Sequence, residues 1–139
     1  MNAETFPVTL FHNPACGTSR NALAMVRAAG YAPDIVLYLE TGWRRDQLAK
    51  LLDRMGAAPS QILRTKGTPA EAMGLLAPNV TEAAIFEAML VEPILVNRPI
   101  VVTPLGVILA RPSEAVQTVL DCPIGIFTKE DGEVVEIRP

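Results

Sequence analysis

Val8 to His12 is a short β-prone run, and a helical pattern follows it from Asn21 to Ala29, with Leu23, Val26 and Ala29 at helical spacing and Gly30 as a stop. After Pro33, Asp34 to Leu39 is a compact apolar run of strand length. Strand, helix and strand in succession make a β-α-β unit, whose strands run parallel because the crossover is long. That unit constrains the chain more than any other stretch. A parallel pair requires helices on its faces, so the fold is α/β.

Between the first strand and the helix lies His12-Asn13-Pro14-Ala15-Cys16-Gly17-Thr18-Ser19-Arg20, which sets a cysteine where a strand hands over to a helix. The first turn of a helix has backbone N–H groups without intrahelical partners, and the peptide dipoles add about half a positive charge there. Such a site stabilises both a bound oxyanion and a thiolate. An ordinary cysteine, with a pKa of roughly 8.5, is only a few per cent thiolate at neutral pH, so a nucleophilic role needs this help. Gly17 lets the backbone approach a ligand, and Thr18 or Ser19 can cap the helix while offering a hydroxyl to the sulfur. The other reading of Cys16 is a small packing residue in a turn.

The remaining elements follow from the same rules. Leu48, Leu51, Leu52 and Met55 lie at i, i+3, i+4 and i+7, predicting an amphipathic helix from Arg44 to Met55 closed by Gly56. Residues 57–92 read as three short helices, Ser60 to Thr65, Ala70 to Leu76 and Thr81 to Val91, punctuated by Gly67, Pro69 and Pro78. Ile100 to Thr103 and Val107 to Ala110 are β-rich runs around the turn Pro104-Leu105-Gly106, and Ser113 caps a helix to Leu120. The tail from Cys122 is expected to pack at first and fray at its end. The layout is β-α-β-α, a helical insertion at about residues 44–92, then β-β-α: a single domain over 1–139 with a mixed sheet of about four strands. It is thioredoxin-like, and in that architecture a reactive cysteine belongs at the N-terminus of the first helix.

Composition excludes several classes. The net charge is -3 and the longest basic run is the pair Arg44-Arg45, which argues against a surface that tracks nucleic acid. No apolar run approaches the roughly 20 residues that span a bilayer. Met1-Asn2-Ala3-Glu4 lacks the basic region of a signal peptide, so the expectation is a cytoplasmic protein with no membrane partner. Cys16 and Cys122 stand far apart in different settings and predict no structural disulfide. One histidine and two cysteines without paired spacing predict no metal site.

Residues 12–21, together with Tyr38-Leu39-Glu40-Thr41, the block from Asn97-Arg98-Pro99 to Gly106, and Arg111-Pro112-Ser113-Glu114, resemble the glutaredoxin-coupled arsenate reductase family. The resemblance runs from the first strand to about Gly132. It implies that Cys16 is the nucleophile forming a covalent adduct with arsenate, that glutathione joins as co-substrate while the arsenic is reduced, and that glutaredoxin resolves the cysteine–glutathione mixed disulfide as arsenite leaves. No bound cofactor is implied. The family's three oxyanion-binding arginines fall on Arg64, Arg98 and Arg111. His12 falls on the histidine that influences ionisation of the cysteine, and Ser19 on the hydroxyl that hydrogen-bonds the thiolate. Pro99 is expected to follow a cis peptide bond and face the cysteine.

Chemistry makes sense of the set. A doubly charged oxyanion repels a thiolate, and guanidinium groups compensate bidentately without losing a proton. Arg20, Arg27, Arg44, Arg45, Arg54 and Arg138 read instead as solvated side chains or ordinary ion pairs. His12 has a second reading, a hydrogen bond that caps the loop. Cys122 reads as a packing thiol and Trp43 as a partly buried staple. Two rival functions follow from the fold: a thioredoxin-like transcriptional regulator binding RNA polymerase through a Cys-x-x-Cys switch, and a glutathione-dependent thiol reductase with another substrate. Ser19 stands three positions after Cys16, so the internal dithiol of the first rival cannot form. The second predicts loss of the arginine cluster, which this chain keeps.

Overall fold

The computed structural model describes residues 5–139; Met1-Asn2-Ala3-Glu4, on which the leader argument rested, lie outside the described residues. The chain divides into two compact units, one joining the chain up to Leu37 with Arg98–Pro139 and the other formed by Tyr38–Asn97.

The first unit holds a four-stranded mixed sheet in the order β2-β1-β3-β4, from β1 (Thr9–Phe11), β2 (Asp34–Val36), β3 (Ile100–Thr103) and β4 (Gly106–Leu109). β1 runs parallel to β2 and antiparallel to β3, so Leu10 faces Ile35 on one side and Val101 on the other. Leu10 and Val101 are fully buried and join Ala22, Met25, Val26 and Val116 in one core. β3 and β4 form the expected hairpin, with Thr103 opposite Gly106. The turn is held by Thr103 Oγ1, which accepts from Leu105 N at 3.1 Å and donates to Val119 O at 2.6 Å.

Helix α1 (Gly17–Ala28) starts four residues earlier than the periodicity predicts, with Cys16 itself as N-cap. The reason is that Ser19, although polar, faces inward with Ala22, Met25 and Val26, extending the buried stripe upstream. Neither Thr18 nor Ser19 caps it. Ser113 does not cap the later helix either: that segment is a 3-10 helix, Ser113–Val119, and the Ser113 hydroxyl donates to Thr18 O at 3.0 Å instead. The tail is not frayed. Gly125–Thr128 (β5) and Val134–Ile137 (β6) pair antiparallel as a separate hairpin, with Ile137 buried in the core.

The second unit begins where the run Asp34 to Leu39 was expected to continue as strand. Only Asp34–Val36 is strand, and Tyr38–Thr41 turns into a short helix, α2. A short apolar run does not distinguish strand from buried helix. Tyr38 is buried, its hydroxyl donates to Val96 O at 2.8 Å, and its ring lies 5.0 Å from that of Trp43, also buried. Helix α3 (Arg45–Met55) buries Leu48, Leu51 and Leu52 and ends at Gly56, whose left-handed φ of 65° suits glycine. Of the three short helices expected next, the first is a 3-10 helix at Pro59–Ile62 and the last is α4 (Glu82–Val91), capped by Thr81 Oγ1 accepting from Ala84 N. Residues 70–76 form successive turns, because Gly74 adopts φ 75° and breaks the helical path. Among the described residues, no helix is long and apolar enough to cross a membrane, and no group of His, Cys, Asp and Glu is arranged to hold a metal ion.

Candidate active site

The loop after β1 is built by its own hydrogen bonds. His12 N donates to Val36 O at 2.9 Å, extending the β1–β2 ladder by one residue. Asn13 then closes a tight turn, its Oδ1 accepting from Ala15 N at 2.9 Å and its carbonyl from Cys16 N at 3.0 Å. Cys16 keeps extended backbone angles, φ −104° and ψ 122°, while its carbonyl accepts the first helical bond from Arg20 N. The thiol therefore stands at the mouth of α1, where unpaired helical N–H groups and the dipole converge.

The β3–β4 hairpin supplies the cations. Arg98 lies two residues before β3 and Arg111 two residues after β4, so strand pairing brings together two arginines 13 residues apart. Arg111 Nη1 donates to Arg98 O at 2.9 Å and lies 3.7 Å from Cys16 Sγ. The Arg98–Pro99 peptide is cis, as the resemblance leads one to expect, and so is Arg111–Pro112.

Burial pushes the Cys16 thiol up, but the Ser19 backbone N–H and the side chains of Arg98 and Arg111 outweigh it, lowering the pKa from 9.0 to about 7. Near neutral pH a large share of Cys16 is thiolate.

His12 and Ser19 act differently from a direct contact to sulfur. Ser19 is fully buried; its Oγ lies 2.6 Å from His12 Nδ1 and accepts from Asn13 N at 3.2 Å, so what Ser19 offers Cys16 is its backbone N–H. His12 is held below its ordinary pKa of 6.5 by burial first and then by Arg20 and Arg27. A neutral imidazole supplies no positive charge, and the partner His12 Nδ1 meets is Ser19 Oγ. Arg64 belongs to the second unit, where its backbone N donates to Leu95 O at 2.7 Å and its Nε to Lys66 O at 3.2 Å.

Four residues hold this loop in ways the sequence did not assign to them. Asn13 had a visible signal, since Asn-Pro favours turn initiation. Ser113 was seen, but as a helix cap. Arg20 and Glu130, a bidentate pair 110 residues apart, carried no local signal. Gly17, expected to admit a ligand, has Glu130 Oε1 as its neighbour: a Cβ there would come within 2.9 Å of that oxygen.

The site thus sets one cysteine of a thioredoxin-like sheet at the mouth of the first helix, with two guanidinium groups beside it. The ArsC family pattern matches residues 11–119. An arsenate reductase of Escherichia coli is 52% identical over 129 residues, 92% of each chain, and the arsenate reductase ArsI2 of Synechocystis is 50% identical over the same share of each. Among solved structures, an arsenate reductase from Vibrio cholerae superposes with a TM-score of 0.78 at 33% identity, over 83% of this chain and 98% of that one. The chain belongs to the ArsC family.

Proposed function

We propose that this chain reduces arsenate to arsenite, with Cys16 as the nucleophile, glutathione as co-substrate and glutaredoxin as the partner that regenerates it. The observation that carries the reading is the Arg111 guanidinium 3.7 Å from Cys16 Sγ at the mouth of α1, with Arg98 as a second donor lowering the thiol pKa to about 7. The Cys16 thiolate attacks arsenic, an S–As bond forms, and one arsenate oxygen leaves as water after protonation. Arg98 and Arg111 bind the remaining oxygens and spread the charge accumulating as the two anions meet. Arg64 is assigned by the resemblance as the third oxyanion-binding arginine.

Reduction of As(V) to As(III) takes two electrons, which two thiols supply by becoming a disulfide. Cys16 is one. Cys122 packs against the hydrophobic core and its backbone N–H is held by Tyr31 Oη at 2.8 Å, which supports an external second thiol. Glutathione fills that place, so arsenate and two thiols give arsenite, water and a mixed disulfide on Cys16, which glutaredoxin then reduces.

The test is arsenate-dependent NADPH oxidation with glutathione, glutaredoxin and glutathione reductase supplied. Wild-type protein sustains it, Cys16→Ser abolishes it, and Cys122→Ser retains most of it. Omission of glutathione without loss of rate would refute the proposed electron source.

A further inference from the structure

The C-terminal hairpin grips the nucleophile loop through one ion pair. Arg20, in the first turn of α1, donates from Nε to Glu130 Oε2 at 2.9 Å and from Nη2 to Glu130 Oε1 at 2.6 Å. Its remaining nitrogen, Nη1, donates to the Pro14 carbonyl at 2.7 Å. A single planar guanidinium therefore holds the turn of the hairpin on one side and the Cys16 loop on the other. Glu130 N donates to Asn21 Oδ1 at 3.0 Å, and Glu130 Oε1 rests against the backbone at Gly17, where no Cβ stands in the way. The turn is braced in its own right: Lys129 Nζ pairs with Glu114 at 2.9 Å and Glu133 at 3.0 Å, and Lys129 N donates to Glu133 O at 2.8 Å. The family match ends at residue 119, before this hairpin begins.

Both side chains of the pair are 44% exposed, a setting in which an ion pair adds little to global stability. Its value is better sought in what it orients. The bidentate fork has only one geometry that also reaches Pro14 O, so it specifies the position of the loop backbone that carries Cys16. We propose that Arg20 and Glu130 are positioning residues for Cys16, fixing the Pro14–Gly17 backbone so that the sulfur faces the donors of Arg98 and Arg111. This rests on the reading of Cys16 as the nucleophile. Loosening the loop then has two opposite effects. Cys16, only 9% exposed, becomes more accessible to a small reagent, yet is aligned less often for attack on a bound anion.

The experiment compares Arg20→Ala, Glu130→Ala, the double variant and Glu130→Gln in the full chain. Three quantities are read: kcat and KM for arsenate, the iodoacetamide rate of Cys16 on its thiolate plateau above pH 9, and the melting temperature. On the plateau Cys16 is fully ionised whatever the charges of Arg20, Glu130, Arg98 and Arg111 around the loop, so the rate reports access to the sulfur together with its intrinsic nucleophilicity, and the midpoint of the same titration separates the two. The alanine variants each lose about tenfold in kcat at unchanged KM, the scale of a small misplacement of a reacting group. Plateau alkylation rises about threefold, the melting temperature holds, and the double variant is no worse than either single because the pair acts as one unit. Glu130→Gln keeps an acceptor and recovers much of kcat. Wild-type kcat in both alanine variants, losses that multiply in the double, or losses that follow a lowered melting temperature would each overturn the proposal. Should the wild-type chain fail to turn over arsenate, the functional reading fails alone; the alkylation rates still decide the positioning role, and unchanged plateau rates overturn it.

Discussion

Replacing Arg111 with methionine keeps a long stem and removes the guanidinium that stands 3.7 Å from Cys16 Sγ. A full charge pair at that separation interacts by about 4 kcal/mol at an effective dielectric of 20, which sets the ceiling. The net effect at Cys16 is smaller. The fall from 9.0 to about 7 corresponds to about 3 kcal/mol in favour of the thiolate, at about 1.4 kcal/mol per pKa unit. That preference survives an opposing burial penalty and is shared among the Ser19 N–H, Arg98 and Arg111. Arg111 also steadies the Arg98 carbonyl at 2.9 Å, so its removal disturbs a second donor. A loss of about 1.4 kcal/mol follows, moving the pKa of Cys16 to about 8. At pH 7 the thiolate fraction drops from about one half to about one tenth, and alkylation slows about fivefold. Above pH 9 both proteins are almost fully ionised and the deficit disappears, the variant reacting at least as fast as the wild type. Iodoacetamide rates between pH 5 and 10, with Cys122 replaced by serine, give the midpoint directly. A midpoint that stays near 7 in Arg111→Met, or a rate lowered equally at every pH, would refute the argument that this guanidinium holds the thiol ionised.

Three further outcomes follow from the same geometry. Ser19→Ala leaves His12 Nδ1 and the Asn13 N–H without their buried partner, costing about 1–3 kcal/mol of stability by chemical denaturation. The midpoint of Cys16 alkylation moves little, because the backbone N–H of residue 19 remains; a large rise would show that the hydroxyl reaches the thiolate. His12 is held below 6.5 in the folded chain, so below pH 6.5 the unfolded chain takes up the proton first. Stability is therefore intact above pH 6.5 and falls below it by at most about 1.4 kcal/mol per pH unit. Denaturation between pH 8 and 5.5 shows that slope flattened in His12→Gln, and an unchanged slope contradicts the assignment. Arg98→Lys preserves charge but loses the planar fork, weakening arsenate turnover by about 1–3 kcal/mol, the scale of a charge-assisted hydrogen bond. Wild-type kinetics in that variant would return Arg98 to a structural role.

Where neighbours in sequence set the outcome, most of the chain was readable without its structure, the turns at residues 70–76 and the helix caps excepted. The β-α-β start, the four-residue spacing that makes α3, the turn at Pro104-Leu105 and the cysteine at a helix mouth all rest on interactions within a few residues. The arginines at 98 and 111 were legible by resemblance, and the hairpin β3–β4 explains why two residues so spaced meet at one thiol. Tertiary structure decided the rest, because hydrogen bonds between distant residues leave no periodic trace. Ser19 turned its hydroxyl to His12 and not to sulfur once both were buried together. Residues 38–41 became helix because Tyr38 found Val96 O as a partner 58 positions away. The charged tail around Glu130 reads alone as a fraying end. It is ordered as a hairpin because Arg20, 110 residues earlier, and Lys129 with Glu114 supply partners that local sequence does not announce.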